Sequence, residues 1–159
     1  MDDDLRQRIT RLEDIEAIKQ LKARYCEVCD DDHNPQTIIT LFAEDGIWDA
    51  GSIGIAHGHA EISALFATFA ERISYSQHMA MNPIIEVTAN KATGRWALFG
   101  PFTVRTSDGP EAVWQSTRYV DDYVKEPDGW KFQHLRVRGR GISASYRVGW
   151  AEPGGMREI

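Results

Sequence analysis

The strongest constraint on the fold is a change of hydrophobic period near Ser74. Before it, apolar residues recur every three or four positions, which marks one face of a helix. Leu12, Ile15, Ile18, Leu21, Tyr25 and Val28 predict a first helix over 8–29. Ile38, Ile39, Leu41 and Phe42 predict a second over 35–43, opened by Asn34 and Pro35. A short hairpin around Gly51 joins Ile47–Asp49 to Ile53–Ala56, and a third helix over 59–72 follows from Ile62, Leu65, Phe66 and Phe69. After Ser74 come four runs rich in β-branched and aromatic residues, 75–88, 93–105, 112–125 and 130–138. Turns at Asn90, Ser107–Pro110 and Pro127–Gly129 separate them.

Helices first and strands afterwards is an α+β order, distinct from the alternation of a parallel doubly wound sheet. Short polar turns between long strands imply a mainly antiparallel meander, and a meander of this length twists until one face is concave. The three N-terminal helices are the available cover. The expected architecture is therefore an α+β roll: three helices on a strongly curved sheet, enclosing a cone-shaped pocket that suits a small ligand. The 159 residues amount to one domain, with a core over about 8–140 and a C-terminal tail over 149–159 carrying Pro153-Gly154-Gly155.

Composition narrows the function. With 42% hydrophobic and 26% charged residues the chain is of ordinary globular type, and a net charge of -6 disfavours nucleic acid and anionic membrane surfaces as partners. Met1–Arg8 lacks a basic segment followed by an apolar one, and no apolar run approaches bilayer length, so a cytoplasmic location is expected. Walker, dinucleotide-binding and nucleophile-elbow patterns are absent from the sequence, and no cofactor is expected. Cys26 and Cys29 read as buried thiols within a helix rather than a redox pair. His57 and His59 read as a hairpin end and a helix start, and Asp30-Asp31-Asp32 lacks the glycine and glutamate of a calcium loop. No metal site is expected.

His78 is the most informative histidine, placed by the pattern inside the first long strand with Ala80 and Asn82 on its face. On the last strand, alternation sets Phe132, His134, Arg136 and Arg138 on one face, with Arg140 beyond. Arg136, if inward, can bind an acidic or carbonyl-bearing substrate. Trp48, Trp96, Phe99, Trp114 and Tyr146 are core candidates, and several tryptophans near a pocket favour a flat, apolar, ring-containing ligand.

A set of motifs now carries a resemblance: Ile15–Tyr25 running into Asp30, Leu41–Gly46, His78-Met79 with Asn82-Pro83, Arg118–Tyr123, and Gly129–Phe132. Over about residues 8–140 the chain resembles the SnoaL-like branch of the nuclear transport factor 2-like (NTF2-like) superfamily. Its nearest pattern is that of small dehydratases and eliminases of the scytalone, bile-acid and hexachlorocyclohexane type. The resemblance implies a cofactor-independent lyase or isomerase, with Tyr25, Asp30 and His78 as the catalytic residues and Trp48, Asn82, Trp96, Trp114 and Arg136 near the substrate. Counting back from Phe42 selects Asp31 in place of Asp30, and regular helical geometry selects Asp32. It also implies a homodimer or homotrimer. The alternative it leaves open is a non-catalytic binding or assembly module like the small subunit of ring-hydroxylating oxygenases.

Overall fold

The computed structural model describes residues 2–138, so Arg140, Tyr146 and the 149–159 tail lie outside the described residues. The elements run α1 (Asp2–Asp30), α2 (Pro35–Ile38) with a 3-10 turn over Ile39–Leu41, β1 (Phe42–Asp49), β2 (Ile55–His57) and α3 (Gly58–Arg72). The strands β3 (Ile73–Ser76), β4 (Met79–Thr88), β5 (Lys91–Thr106), β6 (Gly109–Glu126) and β7 (Gly129–Arg138) complete it. Three helices pack on a curved, mainly antiparallel, unclosed sheet, as the change of period predicts. The sheet order is β2-β1-β7-β6-β5-β3, with β4 also on β5, and β1 is inserted parallel to β7. No helix among the described residues is long and apolar enough to cross a membrane.

Four details differ from the sequence pattern. First, α1 begins at Asp2, six residues early, and its stripe buries from Ile18 onward, whereas Leu12 is 67% exposed because no strand lies beneath the first turns. Second, α2 stops at Ile38, although Asn34 caps it as expected through Oδ1, which accepts from the N–H groups of Gln36 and Thr37. Phe42 belongs to β1, whose pairing with β7 outweighs the helical pattern. Third, β7 carries a bulge: Tyr123 pairs with Phe132 but Asp122 with His134, so Phe132 and Leu135 are both fully buried and the arginines face away from them.

The fourth difference concerns the site directly. The expected strand over 75–88 is two strands, broken at Gln77-His78. Opposite the break stand Gly100 and Pro101. Pro101 has no N–H for the ladder, and its carbonyl accepts from Gln77 N–H at 3.1 Å. Gly100 lets the backbones touch: a Cβ there would sit 1.8 Å from the Gln77 carbonyl oxygen. Gly100→Ala is expected to cost about 1–3 kcal/mol by overpacking and to push His78 out of register with α1. Urea unfolding reads the first effect and the His78 imidazole NMR shifts the second; wild-type values in both would reject the argument.

At the far end of the sheet Asp49 is clamped by Arg138 Nη2 and also bonds the Gly51 N–H at 2.9 Å. The guanidinium holds the carboxyl well below the ordinary carboxylate range. A carboxyl depressed in the folded state stabilises the fold above its unfolded pKa, and that stability is lost as pH falls through the folded value. Stability is therefore expected to fall from about pH 4 downward, less steeply in Asp49→Asn. Urea midpoints across that window measure the difference, and parallel curves for the two proteins would remove Asp49 from the account.

Candidate active site

The last turns of α1 deliver Tyr25, Cys29 and Asp30, the following turn delivers His33, β1 delivers Trp48, and the β3–β4 break delivers His78. Tyr25 lies at the centre of an aromatic cluster, edge-on to Phe42, Phe66, Tyr119 and Phe132 at 5.5–6.5 Å between ring centres. Its hydroxyl accepts from Trp48 Nε1 at 2.9 Å, and burial raises its pKa well above that of free tyrosine, so it stays protonated.

Asp30 gathers donors from the broken strand. His78 Nδ1 lies 2.6 Å from Asp30 Oδ1, and the His78 backbone N–H reaches both carboxylate oxygens at 2.9 and 3.0 Å. Ser76 Oγ stands 3.1 Å from Oδ1 and 3.1 Å from the Cys29 carbonyl, so its one proton serves either acceptor. Breaking the strand frees the His78 N–H from the ladder and turns it to α1. With Nδ1 donating to the carboxylate, the ring presents a lone pair at Nε2, the arrangement of an oriented base. The His78 side chain is 8% exposed and packs edge-on to Phe102 at 4.9 Å. Asp31 and Asp32 are exposed, and Asp32 sits at φ 52° in the turn.

Tyr25, Trp48 and His78 share one cavity with His33, walled by Phe66, Phe69, Phe102, Leu98 and Val137. Its volume is about 70 Å³, against the ~10–15 Å³ a single water requires. That space corresponds to a few waters and is smaller than a ring-sized ligand.

Four residues expected near the substrate do not line this cavity. Asn82 is exposed at a bulge, at φ 53°, where Met81 and Ile84 both keep partners on β5 and Pro83 lacks an N–H. Trp96 is buried elsewhere in the core, donating to Tyr123 Oη at 3.0 Å. Trp114 stacks on Phe99 at 5.3 Å on the opposite face of β6 from the cavity residue Gln115. Arg136 faces away because Val137 faces in; its Nη2 donates to Asp122 at 2.7 Å and lies 2.8 Å from His134 Nδ1.

His33 lines the cavity without having been singled out. It is 4% exposed, and burial, with His78 beside it, lowers its pKa to about 4. Its only sequence signal was the four-residue spacing from Cys29. Lys22 was also missed. It is fully buried beneath Tyr25, paired with Asp121 at 3.0 Å and 3.2 Å above the Tyr119 ring centre.

Residues 10–136 match the SnoaL-like domain family. Among solved structures, a provisionally named aromatic ring hydroxylase from Novosphingobium aromaticivorans is 26% identical, over 79% of this chain and 88% of that one, with a TM-score of 0.72. A provisionally named scytalone dehydratase from the same organism is 22% identical over 90% and 98%, TM-score 0.74. The hexachlorocyclohexane dehydrochlorinase LinA-type3 of Novosphingobium barchaimii is 20% identical over 91% and 99%, TM-score 0.76. Among curated proteins, none matches the chain. The family match spans most of the chain and both walls of the cavity, and the chain belongs to the SnoaL-like domain family of the NTF2-like superfamily.

Proposed function

We propose that the protein is a lyase or isomerase that moves a proton on a small, apolar, ring-containing molecule without a cofactor. The observation that carries this reading is the Asp30–His78 pair, with Nδ1 held at 2.6 Å and the ring on the wall of an aromatic cavity. His78 Nε2 takes a proton from a carbon next to an electron-withdrawing group. Asp30 stabilises the imidazolium so formed. The electron pair left on carbon forms the new double bond as hydroxide or halide departs; in an isomerisation it delocalises onto the electron-withdrawing group until the His78 imidazolium returns its proton to another carbon. Tyr25, protonated and on the same wall, donates to the oxygen on which negative charge develops. The dehydratase and dehydrochlorinase names among the structural neighbours support this class of reaction.

The test is a panel of small cyclic hydroxyketones and halides in deuterium oxide, followed by NMR. Elimination, or deuterium uptake beside the carbonyl, is expected from the wild type, with both slowed about 10²–10⁴-fold in Asp30→Asn. Exchange that proceeds equally in Asp30→Asn counts against the pair. A second reading, an assembly subunit of a ring-hydroxylating enzyme, draws on the provisionally named aromatic ring hydroxylase at 26% identity. It predicts no exchange at all and co-purification with a larger redox partner.

A further inference from the structure

We propose that Cys29, His33 and His78 form a binding site for a thiophilic divalent cation of the Zn²⁺ type, whose occupation excludes His78 from proton transfer. One donor atom from each of the three lies within 4.8 Å of the others. Bond lengths of about 2.0–2.1 Å to nitrogen and about 2.3 Å to sulfur set the donors of a tetrahedral zinc site roughly 3.3–3.6 Å apart. Side-chain rotation that brings donors at the 4.8 Å limit about 1.2–1.5 Å closer completes that geometry.

Three further observations point to a ligand. The His33 ring is 4% exposed, lies edge-on to Phe69 and His78 and tilted against Phe66, and makes no hydrogen bond among the described residues. Its place on the cavity wall gives a ligand in that space access to an imidazole that no described group engages by a hydrogen bond. His78 already has the outer carboxylate that metal-bound histidines use: Asp30 fixes Nδ1 and leaves Nε2 to ligate. The donors also come from both sides of the cavity, Cys29 and His33 from the end of α1 and its turn and His78 from the strand break, so one cation ties helix to sheet.

Two imidazoles and one thiolate select a borderline-soft ion over Mg²⁺ or Ca²⁺. Three protein ligands leave the fourth position facing the cavity. On binding, the Cys29 thiol loses its proton to solvent and the sulfur–metal bond forms with no change of oxidation state. The cation then holds the Nε2 lone pair, so metal-bound and base forms compete. That corollary rests on the proton-transfer reading, while the site itself does not.

Titration of the whole protein with Co²⁺ tests the site. One equivalent per chain is expected, with an ultraviolet thiolate-to-cobalt charge-transfer band that excess Zn²⁺ abolishes. Cys29→Ser should remove the band, His33→Ala and Asp30→Asn should weaken binding about 10–100-fold, and Cys26→Ser should leave it unchanged. Circular dichroism confirms folding, and His33→Gln replaces His33→Ala if the latter unfolds. Absence of the band in folded wild type, or equal affinity in Cys29→Ser, overturns the site. If Co²⁺ binds as described while His78→Ala keeps its turnover, only the proton-transfer reading fails.

Discussion

His78→Ala is expected to lower turnover to the limit of detection while the chain stays folded. A positioned general base contributes about 10²–10⁴-fold to rate, and no other cavity group replaces it. Tyr25 is kept protonated by burial, and among the described residues no carboxylate bonds the His33 ring. The fold should tolerate the change because the substitution does not orphan Asp30. Its carboxylate still accepts the residue 78 backbone N–H at both oxygens and keeps Ser76 Oγ within 3.1 Å. The loss is the Nδ1 bond to Asp30 and the ring's packing on Phe102 and His33, about 1–3 kcal/mol on the scale of single substitutions. Steady-state rates beside a thermal melt separate the two effects. A folded His78→Ala variant with wild-type turnover would remove the proposed mechanism, whereas lost activity with a collapsed melt directs the question to His78→Gln.

The placement of this histidine shows which parts of the molecule were legible in the sequence. The two periods reveal three helices and a meander because each element buries one continuous face, and that pattern survives in Ile18, Leu21, Tyr25 and Val28. Breaks in alternation are harder to see. The β3–β4 interruption depends on Gly100 and Pro101, some twenty residues away, and is signalled only by a Gly-Pro pair in mid-strand. The bulge on β7 turns Arg136 away by shifting Leu135 into the core, and no residue type marks it. Asp30 could not be chosen over Asp31 and Asp32 from spacing alone. What sets Asp30 apart is where α1 ends relative to the freed N–H of His78. Trp96 and Trp114 were placed by type, but their faces follow from strand register, which local sequence does not encode. Lys22 was legible only as a polar interruption of an apolar stripe, since its partner Asp121 is 99 residues distant.

Lys22→Met is expected to be the most destabilising single substitution in the α1 core. The ammonium and the Asp121 carboxylate are both fully buried, and burial pushes Lys22 down and Asp121 up, each opposed by the other's charge. Removing the cation leaves a carboxylate whose Oδ1 has no hydrogen-bond partner among the described residues and whose Oδ2 keeps only the Tyr123 hydroxyl at 2.9 Å. Breaking such a pair costs about 3–5 kcal/mol, which for a chain of this length lowers Tm by roughly 10 °C. Replacing both charges is a different matter: Lys22→Met with Asp121→Asn removes the uncompensated ion, still offers Tyr123 an acceptor, and should recover most of the loss. Urea unfolding of the wild type, both single variants and the double variant gives the coupling energy; a Lys22→Met cost below about 1 kcal/mol would mean the pair is already neutral and inert. The same cycle reaches the site, because Lys22 Nζ lies 4.9 Å from the Tyr25 ring centre and 3.2 Å from that of Tyr119, both on the cavity wall. A double variant that regains stability but not turnover would show that the buried cation holds the two tyrosines in their working positions, a role that packing alone does not fill.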